Sequence, residues 1–339
     1  MKALIDDIEY FVPNDKLTNY DLSLINPSWN VDRIYKKTGI RNRYIVDEDQ
    51  TATDLAVEAA KILFDKRPHL VNAVDYIILC TQSADYCLPT SACLLQERLG
   101  LRQTTGAIDI NQGCSGFVYS IGIAKGLIET NQATHVLVIT ADTYSKYIND
   151  KDKSVKTLFG DAAACTLVKA VEDSAGEWIS NPVYGTNGAG AKDLIVPDGG
   201  ARNPITDSSY KESEDDNSNI RNRANIYMNG TEIYTFTLST VPNVFNAILE
   251  KESVTIQDID VVIFHQANQF MLDSLQKKLQ IPESKMHRSY ADFGNTVSST
   301  IPIGLKQEFL KKDNNVKGKK ALLLGFGVGL SWAGNIVKF

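Results

Sequence analysis

The chain has 339 residues, 43% of them hydrophobic, and a formal net charge of -6 at pH 7. This length and composition allow two core-forming units of ordinary size and exclude a disordered chain. The acidic balance argues against nucleic-acid binding, although a local basic patch can still hold an acidic partner. The sequence has no basic-apolar leader and no run of about 18 apolar residues, so we expect a cytoplasmic location without membrane insertion.

The five cysteines are scattered along the chain and form no CxxC pair. This spacing indicates neither a zinc site nor a redox motif, and an odd number does not suit a disulfide framework. A phosphate loop, a dinucleotide glycine fingerprint and a metal-ligand cluster are all missing from the sequence. We therefore predict no metal and no bound cofactor, and we expect at least one cysteine to have a reactive role.

Short β-branched runs alternate with helical patterns along the chain. This alternation is typical of an α/β layered fold with buried strands. The predicted strands cover residues 76–81, 107–110, 135–141, 261–266 and 319–327. Before the fourth of them, the polar stretch 198–225 predicts a long excursion over the surface, either a simple loop or a flap over an active site.

The order of these elements repeats in the two halves of the chain. DYIILCTQS from Asp75 matches DVVIFHQAN from Asp260, since in each an aspartate opens an apolar strand that ends in a polar turn. A strand-turn-helix unit follows in each half, first DINQGCSGFVYS and later ADFGNTVSSTIPIG. A duplicated α/β unit brings equivalent strand ends together, and ligands bind at such ends. We predict an N-terminal half at 1–175 and a C-terminal half at 176–339.

Cys114 is the first candidate for chemistry, because it follows a predicted strand and precedes an apolar helix. The amide groups and dipole of a helix N-terminus stabilise an anion, which predicts a lowered thiol pKa. Gly113 and Gly116 are expected to allow a tight turn and to leave room for a substrate. The alternative interpretation is a small buried core residue, which is preferred for the other four cysteines.

Two polar residues in the second half are the matching candidates. His265 is the only one of the four histidines at a predicted strand end, since His69 and His287 lie in polar segments and His135 opens a strand. Asn295 lies in the turn of the second strand-turn-helix unit. Both are expected at the same end of the sheet, although a hydrogen-bonded structural role for His265 stays open.

Several segments together resemble the ketoacyl synthase III family, the thiolase-fold enzymes that start fatty-acid synthesis. They occur in family order and span almost the entire chain. The segments are TGIRNRYI (38–45), NQGCSGF (111–117), LFGDAAA (158–164), DGGAR (198–202), FHQAN (264–268), FGNTVSSTIP (293–302) and GFGVGLSWAG (325–334).

The resemblance implies a five-layer αβαβα thiolase fold built from two duplicated halves, and a homodimer. It implies a catalytic triad of Cys114, His265 and Asn295, with an oxyanion hole formed by the backbone amides of Cys114 and Val328. Thiolate attack on an acyl thioester then loads Cys114, and a malonyl thioester loses carbon dioxide and attacks the acyl group. The implied partners are coenzyme A thioesters, acyl carrier protein, or both.

Substrate-binding positions are implied where the sequence departs from the family. Arg33 replaces a tryptophan that stacks on the coenzyme A adenine, and Lys37 and Lys153 replace two arginines near that nucleotide. An arginine can still stack on a base, but a lysine lacks bidentate phosphate geometry.

Asn268 and Phe270 complete the substrate-binding prediction beside His265. Phe270 stands where the family often has an arginine that docks the carrier protein. Leu88 matches a position that reaches across the dimer into the partner's acyl pocket, where a phenylalanine often limits chain length. These departures favour a branch that serves a secondary pathway, such as a surface polysaccharide, a polyketide or an unusual lipid.

Three alternatives stay open at this point. An acyltransferase or a non-decarboxylative condensing enzyme would use the same acyl-Cys114. A hydroxymethylglutaryl synthase would need an acidic general base near the cysteine, and none stands in NQGCSGF. A non-catalytic partner subunit would normally lack the nucleophile, which is retained here.

Overall fold

The computed structural model describes residues 1–172, 178–309 and 316–339. The predicted boundary between residues 175 and 176 lies outside these ranges. The strands are β1 (Lys2–Phe11), β2 (Asp15–Thr18), β3 (Asn42–Ile45), β4 (Tyr76–Cys80), β5 (Gly106–Ile110), β6 (His135–Asp142), β7 (Ala162–Val171), β8 (Val183–Thr186), β9 (Leu194–Ile195), β10 (Ser213–Glu214), β11 (Ile220–Arg221), β12 (Tyr227–Met228), β13 (Val261–Phe264), β14 (Lys320–Gly327) and β15 (Ser331–Lys338).

The helices connect these strands and cover them. They are α1 (Asn19–Ile25), α2 (Val31–Thr38), α3 (Ala52–Lys66), α4 (Leu70–Ala73), α5 (Ser91–Arg98), α6 (Gly116–Glu129), α7 (Lys153–Lys156), α8 (Gly230–Lys251), α9 (Gln269–Leu279), α10 (Tyr290–Phe293) and α11 (Thr300–Phe309). None of these described helices combines the length and the apolar character that crossing a bilayer requires.

Two mixed sheets form the centre of the molecule, and the strand order of the second, read backwards, corresponds to that of the first. The first has the order β1-β7-β6-β4-β5, in which β6, β4 and β5 are parallel and β7 and β1 antiparallel to their neighbours. The second has the order β13-β14-β15-β8, with β13 parallel to β14 and the other pairs antiparallel. A single parallel bridge between Val262 and Met286 takes the place of β5 in the second sheet.

The repeated aspartates have the same task in both halves. The backbone N–H of Asp75 donates to the carbonyl of His135 at 2.9 Å, and the N–H of His135 donates back to the Asp75 carboxylate at 3.1 Å. Asp260 exchanges the equivalent pair of bonds with Lys320, both at 2.9 Å. Each aspartate therefore fixes the start of the neighbouring parallel strand, which confirms the predicted duplication.

Helices fill three layers around and between the sheets. Helices α3 and α5 cover the outer face of the first sheet, α6 and α11 lie between the sheets, and α8 and α9 cover the outer face of the second. The central position explains why α6 is apolar on most faces: Phe117, Ile121 and Ile128 are all fully buried. Each such side chain contributes about 1.5–3 kcal/mol through its burial. The five-layer thiolase fold is confirmed.

The polar excursion before α8 is tied down at several points. Its two ends pair as the ribbon β9-β12, and β10 and β11 form a second ribbon near its far end. Arg223 pairs with Asp198 inside the excursion at 2.8 Å, whereas Arg221 pairs with the buried Asp152 ahead of α7 at 2.6 Å. These contacts hold the excursion against the segment that leads into α7.

Candidate active site

Residues from both halves line one buried cavity beneath the carboxyl ends of the parallel strands. Cys114, His265 and Asn295 all face it, together with the backbone of Gly327. The rest of the lining is mostly apolar: Leu158, Phe159, Leu194, Met228, Gly230, Ile233, Ala267, Asn268, Met271 and Phe326. Four polar side chains, including that of Asn268, therefore converge in a largely apolar space, which is the usual composition of a ligand site.

Cys114 lies in the turn between β5 and α6, and only 5% of its surface is exposed. The backbone of β14 packs directly against it: a Cβ on Gly325 would lie 2.5 Å from the Cys114 carbonyl oxygen, and one on Gly327 would lie 3.0 Å from Sγ. Burial and the nearby Asp142 raise the pKa of the Cys114 thiol to about 12. The expectation of a lowered pKa was wrong, because burial outweighs the stabilising backbone amides.

Close packing, and not backbone conformation, requires the two glycines near Cys114. Neither has a positive φ, so the turn does not require glycine for its conformation. A Cβ on Gly113 would lie 2.5 Å from Cγ1 of Val328, and one on Gly116 would lie 2.2 Å from Sγ of Cys80. These glycines make room for neighbouring protein side chains, and their effect on substrate access stays a prediction.

His265 follows β13 and is 2% exposed. Its Nδ1 lies 2.8 Å from Oγ1 of Thr300, and its ring meets the ring of Phe326 edge-on with centroids 5.8 Å apart. Burial lowers the pKa of His265 to about 3, so the imidazole is neutral at physiological pH. A neutral imidazole can accept a proton or donate one, depending on its tautomer.

Asn295 is held on both sides by backbone bonds. Its N–H donates to the carbonyl of Leu158 at 2.8 Å, and its carbonyl accepts from the N–H of Gly160 at 3.1 Å. Its side-chain Oδ1 accepts from the N–H of Val297 at 3.0 Å, and Val297 has a left-handed φ of 52°. This bond fixes the amide so that Nδ2 is the end available to the cavity.

The backbone of Val328 completes the arrangement around the thiol. Hydrogen bonds from the backbone at Cys114 and Val328 favour the charged form of the Cys114 sulfur and so oppose the rise in its pKa. The carbonyl of Val328 accepts from Oγ of Ser331 at 2.9 Å, which holds the turn after β14. Two backbone donors therefore lie beside one thiol, as the predicted oxyanion hole requires.

Comparison with known proteins shows the family of this chain. The family model for 3-oxoacyl-[acyl-carrier-protein (ACP)] synthase III matches residues 108–188, and the model for the C-terminal part of that family matches residues 249–339. A beta-ketoacyl-[acyl-carrier-protein] synthase III 2 of Bacillus subtilis is 36% identical, with 100% of this chain and 99% of the relative covered. The chain belongs to the 3-oxoacyl-[acyl-carrier-protein] synthase III family.

Other members of the synthase III family have the same extent and fold. The beta-ketoacyl-[acyl-carrier-protein] synthase III of Caldanaerobacter subterraneus is 34% identical over 97% of this chain and 95% of its own. A crystal structure of a 3-oxoacyl-(acyl-carrier-protein) synthase III is 47% identical and superposes over both full chains with a TM-score of 0.96. The Thermus thermophilus synthase III structure is 28% identical with a TM-score of 0.86.

In this synthase III, two of the predicted substrate-binding residues line a second cleft. Lys37 of α2 and Phe270 of α9 face each other there, with Lys36, Gln269, Asp273, Ser274 and Lys277. Phe270 is 53% exposed and stacks on Tyr234 with ring centroids 5.0 Å apart. Asn268 and Gln269 are adjacent at the start of α9, so the second cleft lies beside the buried cavity.

The remaining predicted substrate-binding residues are placed differently. Arg33 and Lys153 are exposed and line neither the cavity nor the cleft, and Leu88 is 81% exposed on the loop before α5. Asn268 lines the cavity, but its Oδ1 accepts from the N–H of Met271 at 3.0 Å and so caps α9. Its side chain is therefore already engaged in holding the helix that borders both spaces.

Thr300 was missed from the sequence. Its hydroxyl contacts the His265 ring from 35 residues away and also donates to the carbonyl of Val297 at 3.1 Å. The only available signal was the run of hydroxyl residues after Asn295. The cavity walls supplied by Leu194 and Met228 were also missed, because the polar excursion between them hides their pairing.

The described residues contain no group of three or more His, Cys, Asp or Glu side chains able to hold a metal ion.

Proposed function

We propose that this synthase III carries an acyl group on Cys114 and condenses it with the carbanion formed by decarboxylation of a malonyl thioester. The observation that supports this function is the convergence of Cys114, His265 and Asn295 in one buried, mostly apolar cavity. An acyl chain suits the apolar lining, and the three polar groups suit the reacting end of a thioester.

Acyl loading requires a base, because the pKa of the Cys114 thiol is about 12. The neutral imidazole of His265 faces the same cavity and can take the thiol proton as sulfur attacks the acyl carbonyl. The negative charge on the former carbonyl oxygen is stabilised by the backbone amides of Cys114 and Val328. When the tetrahedral intermediate collapses, the proton passes to the leaving thiolate and a free thiol departs.

Decarboxylation requires hydrogen-bond donors to the malonyl thioester oxygen, whereas acyl loading requires a base. The Thr300 hydroxyl lies between Nδ1 of His265 and the carbonyl of Val297, at 2.8 and 3.1 Å. When the hydroxyl donates to Nδ1, the imidazole proton sits on Nε2 and can be donated to a malonyl thioester oxygen; when it donates to Val297, Nδ1 keeps its proton and Nε2 is the acceptor. Nδ2 of Asn295 is the second donor to the oxygen on which enolate charge develops.

The condensation then closes the cycle. Loss of carbon dioxide leaves its bonding electron pair on the malonyl thioester as the enolate, whose carbon attacks the carbonyl of acyl-Cys114. The carbon–sulfur bond to Cys114 breaks, the thiolate leaves and takes up a proton, and a 3-oxoacyl thioester is released. No resident metal or cofactor is needed for the balance of these steps.

The cleft beside the cavity supports a role in holding the carrier of the acyl group. Lys36, Lys37 and Lys277 bring positive charge to it, and the exposed Phe270 brings an aromatic face. Phosphate groups bind to lysines, and a planar base or an apolar carrier surface packs on an aromatic ring. We infer a coenzyme A or acyl-carrier-protein thioester at this cleft, and a role for Arg33 and Lys153 in binding it stays a prediction.

The remaining parts of the proposal concern the assembly and its setting. A homodimer would give the exposed Leu88 a partner surface and make it part of the other copy's acyl pocket. We also keep a cytoplasmic location, where coenzyme A thioesters are available, as a prediction. Its family membership makes the chain a condensing enzyme of fatty-acid biosynthesis. A role in a secondary acyl pathway instead stays a prediction.

The test is intact-protein mass spectrometry after incubation with a panel of acyl-coenzyme A and acyl-carrier thioesters, followed by addition of a malonyl thioester. The wild-type protein is expected to gain one acyl mass and then to release carbon dioxide and a 3-oxoacyl thioester. Acyl loading without carbon dioxide would favour the acyltransferase instead. A protein that no donor loads would favour the non-catalytic subunit.

A further inference from the structure

Asp142 joins the two halves of the site, although it does not line the cavity. It is the last residue of β6 and is fully buried. Oδ1 accepts from the backbone N–H of Gln82 at 2.9 Å, in the turn after β4. Oδ2 accepts from both the N–H of Ser298, at 3.3 Å, and its hydroxyl. One carboxylate thus bonds a loop of the first half and a loop of the second.

The bond to Ser298 acts on the loop of the second half that carries Asn295 and Thr300. Ser298 follows Val297, whose N–H fixes the amide of Asn295 and whose carbonyl accepts from Thr300. Val297 is β-branched and has a φ of 52°, a conformation that persists only where surrounding contacts hold it. The Asp142 carboxylate supplies two such contacts at the adjacent residue.

The bond to Gln82 acts on the side of the nucleophile. Oε1 of Gln82 accepts from the hydroxyl of Tyr144 at 2.6 Å, and its Nε2 donates to Oδ1 of Asn111 at 3.0 Å. A Cβ on Gly113 would lie 2.6 Å from Oε1 of Gln82, so this side chain packs against the turn that leads to Cys114. A displaced Gln82 would therefore change the position of that turn.

The charge of Asp142 also reaches the nucleophile. Burial and Asp161 raise the pKa of Asp142 to about 7, and Asp142 in turn raises the pKa of Cys114. The ionisable groups that interact with Asp142 electrostatically are Cys80, Cys114, Tyr144, Tyr147 and Asp161. The neutral His265 lines the same cavity as Cys114.

We propose that Asp142 is a positioning residue for the condensation, which holds the Cys114 turn and the loop of Asn295 and Thr300 in one register. This inference rests on the proposed function, because the register matters only where both loops act on one substrate. Asparagine has a single acceptor oxygen, so in Asp142→Asn an NH₂ group faces either Gln82 or Ser298, both of which donate.

The chain offers a matched control in Asp161. It is also fully buried, and it also accepts from two backbone amides and a serine hydroxyl, those of Val46 and Ser145. These partners all belong to the first half. Asp161→Asn therefore repeats the chemical change without removing a side-chain bond to the loop from Asn295 to Thr300.

We expect Asp142→Asn to lower the condensation rate about 30-fold, and Asp161→Asn to lower it less than about threefold, since small misplacements of reacting groups reduce rates strongly. Alkylation by iodoacetamide, followed on the Cys114 peptide and compared only between variants that unfold at the same temperature as wild type, adds a second readout. Removing the Asp142 charge is expected to lower the pH midpoint of Cys114 alkylation. No shift of this midpoint is expected in Asp161→Asn. Equal loss in both variants, condensation within threefold of wild type for Asp142→Asn, or an unshifted midpoint would overturn the proposal.

A second variant covers the case in which Asp142→Asn does not fold. Ser298→Ala keeps the carboxylate and removes only the hydroxyl donor, so malonyl decarboxylation is expected to fall about fivefold with acyl loading within twofold. Unchanged decarboxylation would contradict the inference. If wild type itself forms no 3-oxoacyl product, the proposed function fails, whereas the alkylation comparison needs no substrate and still decides whether Asp142 acts on Cys114.

Discussion

The two halves of the molecule share a scaffold and differ in what they place at the same positions. In each half one residue, Cys80 or His265, lies five positions after the aspartate that opens its strand. Cys114 and Asn295 occupy equivalent turns. Cys80 is fully buried and its Sγ donates to the carbonyl of Gln112, whereas His265 lines the cavity. In the proposed mechanism one half therefore provides the nucleophile, and the other provides the base and the second donor to the enolate oxygen.

The sharpest way to break this comparison is to remove Cys114 and Cys80 in turn. Cys114→Ala is expected to abolish acyl loading, a loss of at least about 10³-fold, because no other nucleophile faces the acyl carbonyl in the proposed mechanism. Cys80→Ala is expected to load normally and to lose about 1 kcal/mol of unfolding free energy through the small void it leaves. Intact mass and thermal unfolding distinguish the two, and a Cys114→Ala protein that still loads would refute the assignment of the nucleophile.

A smaller effect is expected from the equivalent position in the second half. Asn295→Ala removes a donor to the enolate oxygen but leaves Cys114 and its backbone donors in place. Carbon dioxide release from the malonyl thioester should fall about 10²-fold, as for the loss of one oxyanion donor. Acyl loading should stay within about tenfold of wild type. Parallel loss of both steps would show that the halves do not divide the work.

The pH dependence of stability provides the mildest test. His265 has its pKa lowered to about 3 in the folded state, so below pH 6.5 the unfolded chain takes up a proton that the folded chain does not. Folded stability is therefore complete above pH 6.5 and is lost as the pH falls towards 3, on the order of 2 kcal/mol between pH 7 and 5. His265→Asn should reduce this loss when denaturant titrations at pH 7 and pH 5 are compared. An equal acid sensitivity in wild type and His265→Asn would contradict the burial argument.

Much of the fold and the centre of the site could be predicted from the sequence. The apolar runs identified the central strands because buried parallel strands need continuous β-branched segments, as in β4 and β13. The convergence of Cys114, His265 and Asn295 followed from the repeat, since equivalent strand ends meet. Their separate roles in catalysis stay predictions.

The remainder depends on contacts between distant residues, which a linear pattern does not contain. The raised pKa of Cys114 follows from its complete burial, whereas the sequence showed only the helix that begins two residues later. The Thr300 hydroxyl and the Asp142 carboxylate act across 35 and 156 residues of sequence. Such side-chain contacts have no period or motif that would reveal them.

The left-handed valine in the Asn295 loop has a consequence for how readily this enzyme could be made more robust. A valine in that conformation destabilises the native chain by about 1–3 kcal/mol relative to a relaxed backbone. Glycine at position 297 would remove this penalty, but it would also let the loop sample other shapes between turnovers. In the proposed mechanism, the native sequence thus has a lower thermal stability but holds the reaction geometry before the substrate binds. Engineering for heat tolerance should therefore leave this residue unchanged.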